Sequence, residues 1–163
     1  MKYQYLTISY LTTPEEISIE AGSGKFPLTA NCSCLPLKSP VEILCRIGDN
    51  LPAQVKCDPH RFRQVLVNLM GNAAKFTDRG EIELSLDVKE EQDGRVMIHT
   101  KVRDTGIGIA EKNLEHIFDL FQQADGSTTR KYGGSGLGLS IGRKIANLMG
   151  GDVWAESELG KGS

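Results

Sequence analysis

Apolar and polar residues alternate over Ile82, Leu84, Leu86 and Val88, and again over Val96, Ile98, Thr100 and Val102. A period of two puts one side of each segment in a core and the other outside, which predicts two strands of one sheet. The polar stretch Glu90–Gly94 between them ends in Asp-Gly and predicts a hairpin tip. Upstream the period changes. Phe62, Leu66, Leu69, Met70 and Ala73 recur at steps of three and four, the apolar stripe of a helix. Asp58-Pro59 opens that helix, with Asp as N-cap and Pro at the first helical position. Val41–Ile47 is an apolar-rich strand closed by the turn signal Gly48-Asp-Asn50, and Asp78-Arg-Gly80 turns the chain from the helix into the first alternating strand. Two shorter helices are predicted near Glu111–Ile117 and Gly138–Met149. Gly150-Gly151 ends the second of these, before a strand over 152–157.

Residues 1–39 carry three of the six prolines, two cysteines and short mixed apolar runs, without a sustained period of either kind. They predict no element by pattern. From Asn31 to Pro40 a helix is excluded, because Pro36 and Pro40 break a segment that is already short.

Composition narrows the partners. The 163 residues suit one domain with a real core, and a net charge of −2 leaves no basic field for nucleic acid or an anionic membrane. No apolar run approaches a membrane span, and the opening Met-Lys-Tyr-Gln-Tyr-Leu-Thr lacks a secretory core, so a cytoplasmic fragment with no direct membrane contact is expected, whatever anchors a parent protein. Cys32-Ser-Cys34 with Cys57-x-x-His60 departs from zinc-ligand spacing. Reduced thiols are the expected state of all four cysteines, Cys45 included.

The chemistry concentrates in three places. Gly133-Gly-Ser-Gly-Leu-Gly138 lies directly before a predicted helix, where glycines let backbone N–H groups approach an anion and the first helical turn offers unpaired donors. Asn68, Asn72 and Lys75 form a polar stripe beside the apolar face of the long helix. Asparagine is a mediocre helix former, so two of them in mid-helix need a reason other than solvation. Asp104-Thr-Gly-Ile-Gly-Ile109 ends a strand, which suits a turn and also an acceptor held beside a close-approaching backbone. No Walker sequence G-x-x-x-x-G-K-[ST] occurs.

In this order the three boxes resemble the ATP-binding domain of sensor histidine kinases, within the GHKL superfamily that includes gyrase, the heat-shock chaperone of that class and the mismatch-repair ATPase. The resemblance runs from about Val41 to Ser163 and includes Glu115-His-Ile-Phe118-Asp-Leu-Phe121-Gln-Gln, similar to the kinase F box. Ser127-Thr-Thr-Arg-Lys-Tyr-Gly-Gly134 is worded most like hybrid kinases, which carry receiver domains elsewhere. Residues 18–26 are similar to the junction between dimerisation helix and ATPase domain, which divides the chain into an N-terminal segment, 1–23, and the catalytic domain, 24–163, with the family's last strand lying past Ser163. The implied fold is α+β: a two-layer α/β sandwich of the Bergerat type, with a mixed, mainly antiparallel sheet and helices on one face.

The resemblance also implies roles. Asn72 supplies the amide oxygen for Mg2+, Asn68 supports the metal directly or through water, and Lys75 faces the phosphates of ATP. Asp104 accepts the adenine amino group, where guanine would oppose one acceptor with another, and Gly106 and Gly108 let the backbone pass the base. Gly134, Gly136, Leu137 and Gly138 cradle phosphate. Phe118 and Phe121 are core anchors that hinge an ATP lid over about Gln122–Gly133, in which Arg130 neutralises charge during transfer. The implied activity is transfer of the γ-phosphate of Mg-ATP to a histidine on a separate dimerisation domain of the parent kinase, and from there to a response-regulator receiver. His60, His99 and His116 sit in no acceptor box, so the acceptor lies outside this chain. A self-contained GHKL ATPase would need a glutamate one turn before Asn72, where Asn68 stands. A nucleotide-sensing module without transfer is the other alternative.

Overall fold

The computed structural model describes residues 4–8, 16–18, 40–52, 54–119 and 137–163. In chain order the elements are β1 (Gln4–Ile8), β2 (Glu16–Ser18), β3 (Val41–Ile47), β4 (Gln54–Lys56), α1 (Pro59–Phe76), β5 (Gly80–Gln92), β6 (Arg95–Asp104), α2 (Glu111–Leu114), α3 (Gly138–Leu148) and β7 (Asp152–Ala155).

Helix α1 begins where its cap chemistry directs. The Asp58 side chain accepts the Arg61 backbone N–H at 3.0 Å, and Pro59 occupies the first turn, where no donor is needed. The bond from Arg61 is also the main reason the Asp58 carboxyl sits below the usual aspartate range. The buried face is Phe62, Val65, Leu66, Leu69, Met70, Ala73 and Ala74, which contains every position of the predicted stripe. Removing a side chain such as Leu69 from water contributes roughly 1.5–3 kcal/mol, far more than helix propensity does.

Strands β5 and β6 form the antiparallel hairpin that the alternation predicts, with Ile82 paired to Asp104 and Leu84 to Val102. Asp93 and Gly94 turn the chain with φ of 52° and 70°, the left-handed pair that a two-residue hairpin loop requires. A register shift between Val88 and Glu90 leaves Lys89 as the extra residue of a bulge near the tip. Strand β3 pairs in parallel with β5, from Val41 opposite Gly80 to Ile47 opposite Leu86.

The main sheet has the order β3-β5-β6-β1-β7, with every pair antiparallel except β3 and β5. Strand β1 lies upstream of the boundary expected near residue 24, and the sequence pattern predicts nothing there. Five residues are too few to display a period, and ladders to β6 and β7, whose residues are about ninety or more positions away in sequence, determine the strand. The small ribbon of β2 with β4 escapes the pattern for the same reason. Helices α1 and α3 cover one face of the sheet, so that Val65, Leu66, Leu69 and Ala146 meet Ile82, Leu84, Val102 and Val153 in one core. On the alternate positions of β5 and β6, Arg103 pairs with Glu81 and Glu83, and Arg46 of β3 stands 3.9 Å from both Glu83 and Asp87. This is the two-layer α+β sandwich with a mixed, mainly antiparallel sheet.

Two predicted elements end early. The helix near Glu111–Ile117 is regular only to Leu114 and continues as turns to Phe118. The strand from Asp152 stops at Ala155 rather than Ser157, because the Ser157 side chain leaves the ladder to bond the loop after β6.

The packing of α1 on α3 makes one stability prediction. Gly142 is buried inside α3, and a Cβ there would meet Val65 Cγ1 at 3.8 Å, an ordinary contact. Gly142→Ala should therefore raise stability by roughly 0.5–1 kcal/mol, the propensity difference in a helix interior. Urea unfolding should show a higher midpoint at an unchanged slope, and a lower midpoint would mean that this helix contact has no room for a methyl group.

Candidate nucleotide site

Helix α1 contributes one wall. Asn68, Asn72 and Lys75 are all half-buried along it. Asn68 Nδ2 donates to the Gly138 carbonyl at 3.1 Å, so the first residue of the stripe is tied to the start of α3. The Lys75 ammonium lies 4.7 Å from the centre of the Phe76 ring, and burial lowers its pKa from the usual lysine value. At the other end of this wall the Thr77 N–H caps α1 by donating to the Ala73 carbonyl at 3.0 Å.

The loop after β6 closes on that end. Asp104 is only 6% exposed. Its Oδ1 accepts the Gly106 N–H at 2.9 Å, and the Ile107 N–H reaches the Phe76 carbonyl at 3.2 Å. A Cβ on Gly106 would collide with that same Phe76 carbonyl, so glycine is what lets the loop lie against the helix end. Gly108 has φ of 68°, and a Cβ there would strike the Glu158 carbonyl. Burial is the largest influence on the Asp104 carboxyl and raises its pKa above the usual aspartate value. The Gly106 and Ser163 N–H groups, the Thr77 hydroxyl and the Arg103 charge oppose it.

The two boxes are joined by one helix. From Asn68, at the start of α3, to Phe76, at the Asp104 loop, α1 advances about 12 Å. Asn72 stands halfway along. Leu137 caps α3, its carbonyl accepting from the Ile141 N–H at 3.0 Å and the Ser140 hydroxyl at 2.9 Å. Gly134, Gly136, Arg130, Phe121 and the expected lid over about Gln122–Gly133 lie outside the described residues. Phe118 packs against the core, as an anchor should, with the Arg143 guanidinium 5.3 Å from its ring centre.

Sequence reasoning missed Thr77 and Ser157. Thr77 is fully buried, and its hydroxyl faces the Asp104 carboxylate without a well-formed hydrogen bond among the described residues. Its only sequence signal is a β-branched polar residue at the step where α1 ends. Ser157 carries no local signal for its hold on the Asp104 loop, because its partner there, Ile109, is 48 residues away in sequence.

Comparison with known proteins agrees with this geometry. Residues 57–163 match the model of the histidine kinase-, DNA gyrase B- and HSP90-like ATPases. Over 123 residues the chain is 42% identical to the signal transduction histidine-protein kinase BarA of Escherichia coli K12, covering 76% of this chain and 13% of that protein. Over 125 residues it is 45% identical to hybrid signal transduction histidine kinase F of Dictyostelium discoideum, covering 76% and 11%. The chain therefore spans a small part of the length of these curated relatives. Among solved structures, full-length ShkA in complex with AMPPNP superposes with a TM-score of 0.61 at 37% identity, over 76% of this chain and 24% of that one. The catalytic domain of histidine kinase ThkA gives 0.56 at 32% identity, over 75% and 74%. With its family model covering more than half of its length, the chain belongs to the histidine kinase-, DNA gyrase B- and HSP90-like ATPases, as a catalytic ATP-binding domain of the histidine kinase branch.

Proposed function

We propose that this domain binds Mg-ATP between α1 and the Asp104 loop and presents the γ-phosphate to a histidine on a separate dimerisation domain of its parent kinase. The observation that carries the proposal is the linkage along α1: a buried carboxylate with a glycine loop at one end, and the start of α3 tied to Asn68 at the other. About 12 Å of helix between them is comparable to the reach of an extended nucleoside triphosphate.

The donor set suits the ligand. Asp104 accepts the exocyclic amine of adenine, and Gly106 and Gly108 let its loop lie against the Phe76 and Glu158 carbonyls, which holds that acceptor in place. Asn72 offers a hard amide oxygen in mid-helix, which suits Mg2+. Asn68, its nitrogen committed to Gly138, keeps its oxygen for the metal or for a water on it. Bound Mg2+ would neutralise phosphate charge during transfer, and Lys75 and Arg130 would add positive charge to the same region. Leu137 and Gly138 open α3, whose first-turn donors favour an anion together with Gly134 and Gly136. A receiver domain would then take the phosphoryl group from the histidine. Among the described residues no helix is long and apolar enough to cross a membrane, and the proposed setting is cytoplasmic.

The test is transfer in trans. Incubated with Mg-ATP labelled at the γ-phosphate, the domain should not label itself. Mixed with the dimerisation domain of its parent kinase, it should yield an acid-labile, base-stable phosphohistidine, slowly, because the tether that raises effective concentration is missing. Labelling of His60, His99 or His116 on the isolated domain would contradict the proposal, and steady phosphate release without an acceptor would favour a self-contained ATPase.

A further inference from the structure

The segment after β7 is bonded to the Asp104 loop at several points. Ser157 is buried, and its hydroxyl uses its full bonding capacity. It accepts the Ile109 N–H at 2.7 Å and donates to the Gly162 carbonyl at 2.8 Å, and the Ser163 hydroxyl stands 2.8 Å away on its remaining lone pair. Two more bonds cross between the segments: Gly160 N–H to the Ile107 carbonyl at 2.7 Å, and Asp104 N–H to the Ser163 carbonyl at 2.7 Å. The fit is tight as well as bonded. Gly162 has φ of 100°, and a Cβ on it would collide with the Asp104 carbonyl.

We infer that the Ser157 hydroxyl is a positioning residue for nucleotide recognition, the central bond of a buckle formed by residues 157–163 that holds the Asp104–Ile109 loop in its base-accepting shape. A loop anchored only at Asp104 and, through the Ile107 N–H, on the Phe76 carbonyl would leave Gly108 and Ile109 able to swing. With Ser157 at Ile109 and Gly160 at Ile107, the far end of the loop is fixed from the opposite side. Ser163 bonds the backbone of Asp104 at the same time, so the buckle and the carboxylate move as one body. Removing the Ser157 oxygen takes the partner from the Ile109 N–H, while the Gly162 carbonyl keeps the Glu158 N–H at 3.2 Å, so the loss falls on the loop side of the buckle.

The inference rests on the nucleotide-binding reading, so its test has an arm that does not. In the unmutated domain without nucleotide, the amides of Asp104, Ile109 and Gly160 should exchange slowly and with one common opening free energy. Ser157→Ala should make Ile109 exchange fast while the amides of α1 stay protected. It should weaken ADP binding roughly tenfold and reduce the preference for ADP over GDP, a ratio that mere loss of stability would not change. Fast exchange at Ile109 in the unmutated domain, or unequal openings at the three amides, would overturn the inference even if Ser157→Ala did not fold. Unchanged ADP affinity and selectivity in a folded Ser157→Ala domain would overturn it too. Failure of the unmutated domain to bind ADP would remove the nucleotide reading, and exchange at Ile109 would still decide whether the buckle exists.

Discussion

Asp104→Ala should weaken ADP binding by on the order of 1–3 kcal/mol, the scale of a buried hydrogen bond to a charged group, and should abolish the preference for adenine over guanine. The carboxylate is nearly enclosed, and its Oδ1 already takes the Gly106 N–H, so truncation removes both the base acceptor and a loop bond. Asp104→Asn separates these losses, since an amide oxygen can still accept from Gly106. The pH dependence follows from the raised pKa. Because the folded value lies above the unfolded one, the folded state holds the extra proton between the two, and the cost of the buried charge is full only above the folded pKa. On acidification the apo domain should thus be relieved of that cost, while ADP binding should fall as the acceptor protonates, at a pH above that of an ordinary aspartate. In Asp104→Asn this step in ADP affinity should vanish. Calorimetric titration with ADP and GDP across the acidic range measures all of this, and equal binding of the two nucleotides by the unmutated domain would remove Asp104 from base recognition.

The sequence reveals most where structure is local. The cap at Asp58, the apolar stripe from Phe62 to Ala73 and the alternation of β5 and β6 each depend on residues within a turn or a strand of one another, and each appears in the structure at the expected position. Strand β1 and the β2–β4 ribbon are set by ladders to distant residues, and a three- or five-residue segment has no period to read. The site divides in the same way. Asp104, Gly106 and Gly108 fall in one short box, so their closeness to one another is legible, whereas their packing against Phe76 at the end of α1 is not. The bonds Asn68–Gly138 and Ile109–Ser157 span 70 and 48 residues, and no pattern in either segment names its partner. Thr77 was missed for a different reason. A buried hydroxyl at a helix end resembles a routine cap until Asp104 is seen beside it.

Replacing Asn72 should have the largest effect of all on transfer. Asn72 lies halfway along the α1 wall, four residues after Asn68 and four before Phe76, and is half-buried on the stripe beside the core face. If its amide oxygen holds Mg2+, Asn72→Ala removes a group that stabilises charge only when the metal and phosphates are in place, and transfer to the parent's histidine should fall on the order of 10²–10³-fold. Binding of ADP without metal should hardly change, since the base contacts lie at the other end of the helix. The apo domain should unfold at the same temperature or slightly higher, because alanine is the better helix former and no core contact is lost. Asn72→Asp tests the charge separately: it keeps the oxygen but sets a carboxylate beside the phosphates, so Mg-ATP should bind more weakly than to the unmutated domain while metal-free ADP shows a smaller loss. Melting curves and titrations with and without Mg2+ distinguish the cases. A domain that unfolds on Asn72→Ala would make the residue structural, and one that transfers phosphate undiminished would place the metal elsewhere.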